Sequence, residues 1–397
     1  MSVARKIKEA LGSQSMIRKM FEEGSRLKKE HGAGKVFDFS LGNPDVEPPP
    51  AFHRVFLRLA REDREGSHGY MPNAGYPEVR EALAAKASRE QGVRIDGSHI
   101  VMAVGAAGGL NVVFKAILDS GDEVIVPRPY FMEYRSYVAN HGGVLVEVDS
   151  AEDFSLDLDA VKAALSPRTK AVLINSPHNP TGRVYPAADI EALGKLLAGR
   201  GAPYLVSDEP YREISYDGIA VPPVLAAYAN SIVVSSYSKS LSLPGERIGY
   251  IAAGPGAADK EDLINALIYA TRILGFVNAP ALMQRIVAEL TFAKVDVDIY
   301  ARRRAAFTGI LDRAGIAYAR PEGAFYLFCR VPPRVVSGSS GAEGDDLAFA
   351  ELLKQHLILG VPGSGFGKPG WIRFAYCVDE TIIKASETAF TNAMKSW

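Results

Sequence analysis

Between Asp217 and Glu246 the chain carries a single charged side chain, Lys239. It follows an apolar run at 232–234 and a hydroxyl-rich turn, Ser235-Ser236-Tyr237-Ser238. A lysine at the end of a buried strand, in neutral surroundings, is desolvated; that disfavours the ammonium and favours the free amine. The free amine is the form that condenses with a carbonyl to give a Schiff base. A strand-end lysine can also snorkel to water, so its neighbours must decide.

Those neighbours are suited to an anion and a polar ring. Pro244-Gly245-Glu246-Arg247 places a guanidinium eight residues on, beside the serine hydroxyls, a combination that suits a phosphate dianion. Gly105-Ala106-Ala107-Gly108-Gly109 joins a strand to a helix, and its free backbone N–H groups form a second anion cradle. In Ser207-Asp208-Glu209-Pro210-Tyr211 an acid emerges from an apolar strand with a tyrosine three residues later, and Asn175 to Gly182 present Asn179 on a loop held by two prolines. Taken singly, each has a plain alternative: tight packing for the glycines, a cap for the acid, a turn for the asparagine.

The elements that must hold these groups are legible as alternation. Strands are expected at 99–104, 123–126, 144–148, 171–175, 204–207, 231–235 and 249–253, several without internal charge, as in strands buried on both faces of a parallel sheet. Helical patterns lie between them at 76–91, 108–118 and 187–197, so the fold class is α/β with a mostly parallel seven-stranded sheet flanked by helices. The tail reads differently: a long helix at 282–314 with Arg302, Arg303 and Arg304 on a solvated face, a strand at 323–331, a Gly/Ser-rich loop at 337–346, a helix at 347–356 and a last strand at 371–376. That is a smaller α+β domain. The expected division is 47–285 for the large domain, with 1–46 and 286–397 forming the small one.

Composition excludes other classes. The 397 residues carry 45 basic and 46 acidic side chains, a net charge of −1, which argues against a nucleic-acid binder or a polybasic membrane protein. The longest uncharged stretch, 218–238, contains two adjacent prolines, an asparagine and four serines, so it is no membrane span. The N-terminus lacks a signal-peptide core, and its acids disfavour a transit peptide; Val3, Ile7, Leu11, Ile17, Met20 and Phe21 read instead as faces of a solvated or subunit-bridging helix. A cytoplasmic protein is expected. Two cysteines and seven scattered histidines give neither a disulfide framework nor a catalytic zinc site, and no metal is expected. The run Gly363-Ser-Gly-Phe-Gly-Lys368 imitates a phosphate loop, but its glycine spacing is one residue short and Pro369 stands where Ser or Thr is required.

Together the motifs resemble a known family. The stretch from Ser235 to Gly249, SSYSKSLSLPGERIG, is similar to the lysine signature of class I/II aminotransferases, fold-type I enzymes dependent on pyridoxal phosphate (PLP). The resemblance runs from Leu41-Gly-Asn-Pro44 through Asn179-Pro-Thr-Gly182 and Asp208-x-x-Tyr211 to Trp371-Ile-Arg-Phe374, five motifs in the family's order over nearly the whole chain. It implies that Lys239 joins the PLP aldehyde and shuttles the substrate proton, and that Asp208 pairs with the pyridine nitrogen. Tyr211 and Asn179 are then expected on the phenolic oxygen. Ser236, Ser238, Arg247 and the N–H groups of Ala106 and Ala107 would hold the phosphate, and Phe131 would stack on the ring. Arg373 would clamp the substrate α-carboxylate, with Gly42 giving a backbone contact. Tyr70, in Tyr70-x-x-x-x-Gly75, matches the residue that reaches the partner's phosphate, which implies a homodimer with shared sites.

The implied reaction is ping-pong transamination from an L-amino acid to a 2-oxo acid, with 2-oxoglutarate the expected acceptor. Some relatives carry a lysine or a hydroxyl residue at the place of Ala107, and alanine can do the work of neither. Arg272 could serve a dicarboxylate but reads more readily as a helix-surface charge. Aspartate and alanine both stay open as donors. A β-lyase or decarboxylase on the same fold is the alternative, and a non-catalytic ligand-binding domain is the rival from another class.

Overall fold

The computed structural model describes residues 3–5, 7, 8, 16–334 and 344–397. Leu11, the Ile17 side chain and the 337–343 part of the Gly/Ser-rich loop lie outside them. Thirteen strands are named here in chain order: β1 (Phe37–Asp38), β2 (Ile100–Ala103), β3 (Glu123–Arg128), β4 (Val144–Asp149), β5 (Thr169–Asn175), β6 (Tyr204–Asp208), β7 (Ser231–Ser236), β8 (Gly249–Ala253), β9 (Tyr318–Ala319), β10 (Tyr326–Arg330), β11 (Ile358–Leu359), β12 (Val361–Pro362) and β13 (Trp371–Ala375).

Strands β2 to β8 are the seven expected from the β-branched runs. They form one sheet in the order β2-β8-β7-β6-β5-β3-β4. The pairs from β7 through β4 are parallel, while β8 is antiparallel to both β2 and β7. Successive residues point to opposite faces. Val101, Val124 and Leu173 pack beneath the helices Gly105–Ile117 and Lys260–Ile273. Met102, Ile125 and Val172 meet the other face, with Pro77–Gln91, Ala187–Ala198 and Ala281–Glu289. Strands covered on both sides need successive apolar residues, which is why the runs at 124–126, 171–174 and 232–234 do not alternate.

The second core is built on the antiparallel sheet β12-β13-β10-β9, with β1 paired to β11 nearby. Phe39, Phe307, Phe374 and Phe390 interlock there, the first two with ring centroids 4.6 Å apart. The chain leaving β1 stays beside β13: the Ala375 N–H donates to the Phe39 carbonyl at 2.8 Å. This contact carries residues 40–42 to the site.

Two expectations fail in the tail. The segment 282–314 is two helices, Ala281–Glu289 and Val297–Ala314. Asp296 caps the second by accepting the Asp298 N–H, and the Val295 N–H is held by the Ser240 carbonyl at 2.8 Å, so the apolar pattern continues across a break in the backbone. The first helix packs on the large sheet's core and the second on the small one. The arginine triplet is not simply a solvated face either. Arg303 is buried against Asp45 at 2.5 Å, and Arg304 pairs with Asp217 while lying over the Tyr216 ring. At the N-terminus, Val3, Ile7 and Phe21 are exposed. No helix among the described residues is long and apolar enough to cross a membrane.

Candidate active site

Strands β5, β6 and β7 end together at their carboxyl edge, the edge at which parallel α/β sheets bind ligands. Asn175 and Asp208 are register partners there, and Asn175 donates from Nδ2 to the Asp208 carbonyl at 2.7 Å. Asn175 Oδ1 in turn accepts the Asn179 N–H at 2.7 Å, which fixes the loop that carries Asn179. Strand β7 ends at Ser236 and passes into a single turn, Tyr237–Ser240, that raises Lys239 over the edge.

A cavity of about 360 Å³ opens at this point. It is lined by Lys239, Asp208, Tyr211, Asn179, Phe131, Ser236, Ser238, Arg247, Ala106, Ala107, Gly42 and Arg373, so the structure gathers twelve of the thirteen expected site residues. Tyr70 is the exception. It lies outside the cavity and is 93% exposed on this chain. Arg272 is exposed and is likewise absent from the lining.

One wall brings a helix start and a guanidinium together. The helix Gly105–Ile117 begins directly after β2, so the N–H groups of its first turn have no acceptor within the helix. Gly105 has φ +77°, and a Cβ there would fall 2.7 Å from Arg247 Nη2, so only glycine lets the guanidinium sit against this helix start. Arg247 is steadied by donating to the Pro244 carbonyl at 2.7 Å.

The opposite side carries a buried guanidinium. Arg373, on β13, is buried between the rings of Tyr326 and Phe366, 4.5 and 4.8 Å from their centroids. It donates to Asn179 Oδ1 at 2.9 Å and to the Ser40 carbonyl at 2.6 Å. Phe366 comes from the glycine-rich run that imitates a phosphate loop. There the Ser364 N–H donates to Asp346 Oδ2 at 2.7 Å, so a carboxylate already holds that turn.

Between the two walls stand the titrating groups. Burial lowers the Lys239 amine to about 8, helped by the Arg373 and Arg247 charges and opposed by Cys377. Its Nζ donates to the Gly42 carbonyl at 2.6 Å. Burial raises the Asp208 carboxyl to about 7, and a hydrogen bond from Tyr134 at 2.6 Å to Oδ2 works against that rise. Asp208 Oδ1 is buried with no hydrogen-bond partner among the described residues. Among the described residues no cluster of His, Cys, Asp and Glu is placed to hold a metal ion.

Sequence reasoning missed Tyr134 and Tyr326. Tyr134 is wholly buried and orients Asp208, and the Tyr326 hydroxyl lies 2.8 Å from that of Tyr211. Their partners are 74 and 115 residues away in the chain, so spacing carried no signal.

A buried amine, a buried acid and two guanidinium groups thus line one cavity at the carboxyl edge of a mostly parallel sheet, an arrangement suited to the amino-group chemistry of fold-type I enzymes. Comparison with known proteins agrees. The family model for aminotransferase class I and II matches residues 34–387. The chain is 34% identical to the aspartate/prephenate aminotransferase of Thermus thermophilus over 365 residues, covering 89% of this chain and 90% of that one. It is 33% identical to the aspartate aminotransferase of Geobacillus stearothermophilus over 89% of each. Among solved structures, an amino transferase from Eubacterium rectale superposes with a TM-score of 0.93 at 39% identity, covering 100% of this chain and 99% of that one. The chain belongs to the class I and II aminotransferase family, and it is a transaminase.

Proposed function

We propose that the protein is a PLP-dependent aminotransferase that moves the amino group of an L-amino acid to a 2-oxo acid, 2-oxoglutarate being the acceptor, by a ping-pong route. The observation that carries the reading is one cavity lined by both the buried Lys239 amine, which burial lowers to about 8, and Asp208, whose buried Oδ1 has no partner among the described residues. The residues present fit the cofactor. A buried carboxylate oxygen without a protein partner suits a cationic ring nitrogen, and the Gly105–Arg247 approach suits a phosphate.

When bound, PLP supplies an aldehyde for amines and a ring that accepts electrons. Lys239 would be the attachment point for the cofactor aldehyde, and its free amine would serve as the base and acid for the substrate Cα proton. Asp208 would pair with the ring nitrogen and keep it protonated, and a cationic nitrogen there would favour the ionised carboxylate. Tyr211 and Asn179 hydrogen-bond the phenolic oxygen. Ser236, Ser238, Arg247 and the N–H groups of Ala106 and Ala107 grip the phosphate, and Phe131 walls the ring. Arg373, with Gly42, clamps the α-carboxylate and so fixes which Cα bond is broken.

The exposed Tyr70 supports a homodimer in which each chain completes its partner's phosphate site, and the composition supports a cytoplasmic enzyme. We also propose 47–285 as the large domain, with 1–46 and 286–397 as the small one. The relatives named for aspartate and prephenate support a dicarboxylic partner in one half-reaction. The cations lining the cavity among the described residues, Lys239, Arg247 and Arg373, all have other tasks, and alanine therefore stands beside aspartate as donor. The test is a panel of half-reactions. Holoenzyme mixed with one amino acid at a time should convert its cofactor stoichiometrically to the amine form and release the matching 2-oxo acid. Release of ammonia and pyruvate, or of carbon dioxide, would instead establish a lyase or decarboxylase.

A further inference from the structure

Tyr326 stands where the two halves of the site meet. Its hydroxyl is 2.8 Å from that of Tyr211, with either able to donate. Its ring lies against the Arg373 guanidinium, 4.5 Å from centroid to charge. The Gly42 backbone presses on the same hydroxyl so closely that a Cβ would overlap it, and the Gly42 carbonyl is the acceptor for Lys239. Register explains the arrangement. Tyr326 on β10 pairs with Ala375 on β13, two residues beyond Arg373, so both side chains leave the same face of the small sheet.

A phenol has one proton to give. On the proposed function, Tyr211 gives its proton to the cofactor's phenolic oxygen, after which the Tyr211 oxygen can only accept. Tyr326 is the hydroxyl within reach to donate to it, and burial, which pushes its phenol up to about 12, keeps that proton in place at neutral pH. A hydroxyl that receives a hydrogen bond at oxygen becomes the stronger donor.

We infer that Tyr326 is a positioning residue of the transamination site: its hydroxyl donates to Tyr211, aims and strengthens that hydroxyl, and its ring joins the pair to the Arg373 clamp. The inference rests on the proposed function and adds a residue to it. A side chain that merely packed under Arg373 would act through its ring alone, and Tyr326→Phe keeps the ring.

The test reads the bound cofactor's visible absorbance against pH in holoenzyme. A donor on the phenolic oxygen favours the form in which that oxygen bears full negative charge, which lowers the midpoint, so weakening Tyr211 raises it. Tyr326→Phe should raise the midpoint by about one pH unit, the size of one hydrogen bond. Tyr211→Phe should raise it by at least as much, and the double variant no further than Tyr211→Phe, because one residue acts through the other. A wild-type midpoint in Tyr326→Phe, a rise in substrate KM with no change of midpoint, or additive shifts in the double variant would overturn the inference. If Tyr326→Phe fails to fold, 3-fluorotyrosine placed at 326 supplies a stronger donor of nearly the same shape. The midpoint should then fall, and a constant or rising one counts against the inference. Failure of the underlying reading looks different: wild-type protein itself would show no cofactor attached at Lys239.

Discussion

Arg373 on β13 donates to Asn179 Oδ1 at 2.9 Å, so a side chain of the small antiparallel sheet is locked to a loop at the carboxyl edge of the large parallel one. The bond spans 194 residues of sequence and joins the group proposed for the substrate carboxylate to one proposed for the cofactor. A lysine in place of Arg373 keeps the charge but cannot serve Asn179, the Ser40 carbonyl and a carboxylate from one planar fork. Losing a charge-assisted hydrogen bond of this kind costs about 2 kcal/mol. Arg373→Lys should therefore raise the KM for amino acids by roughly thirty-fold or more, with cofactor affinity changed far less. Steady-state kinetics with a parallel cofactor titration checks the split.

Lys239 makes the free protein less stable below pH 8 than it would otherwise be. Its amine falls from an ordinary value of 10.5 to about 8 on burial, so between those values the unfolded chain binds more protons than the folded one. Stability from this group therefore rises with pH across that window, and the cost is complete below it. In cofactor-free protein, Lys239→Met should raise the melting temperature at pH 7, by an amount equivalent to on the order of 3 kcal/mol at most, and the gain should vanish toward pH 10.5. Calorimetry at several pH values reads it directly.

The same substitution class separates chemistry from folding. Lys239→Ala should fold with an unchanged far-ultraviolet spectrum and lose turnover by about 10⁴-fold or more, since both the attachment point and the proton carrier are gone. Near-normal transamination by that variant would show that another group does the work.

Gly105→Ala tests the anion wall. The added methyl meets Arg247 Nη2 at 2.7 Å on a backbone with φ +77°, so both the guanidinium and the helix start must shift. Cofactor affinity should fall by about ten-fold, with a stability loss of about 1–2 kcal/mol. Equilibrium dialysis and a melting curve distinguish the two effects.

How far the sequence could be read depended on the range of the interaction. The seven strands of the large sheet announced themselves because a sheet buried on both faces needs unbroken β-branched runs, and Lys239 because it is the lone charge in a long neutral stretch. Strands β1, β9, β11 and β12 span two residues each, too short for any period to show. The break before Val297 was hidden because what ends the pattern is a contact from Val295 to the distant Ser240 carbonyl. Arg303 looked like surface because its partner, Asp45, lies 258 residues away. Tyr134 and Tyr326 escaped for the same reason, although each touches a residue the motifs identified.

The most direct measurement is reductive trapping. Holoenzyme is treated with borohydride, digested, and the peptide bearing the cofactor is sequenced by mass spectrometry. The account predicts one cofactor per chain, fixed to Lys239 in the peptide that includes Ser236, Ser238 and Arg247. Label on any other residue, or protein that stays colourless in excess pyridoxal phosphate, would contradict it.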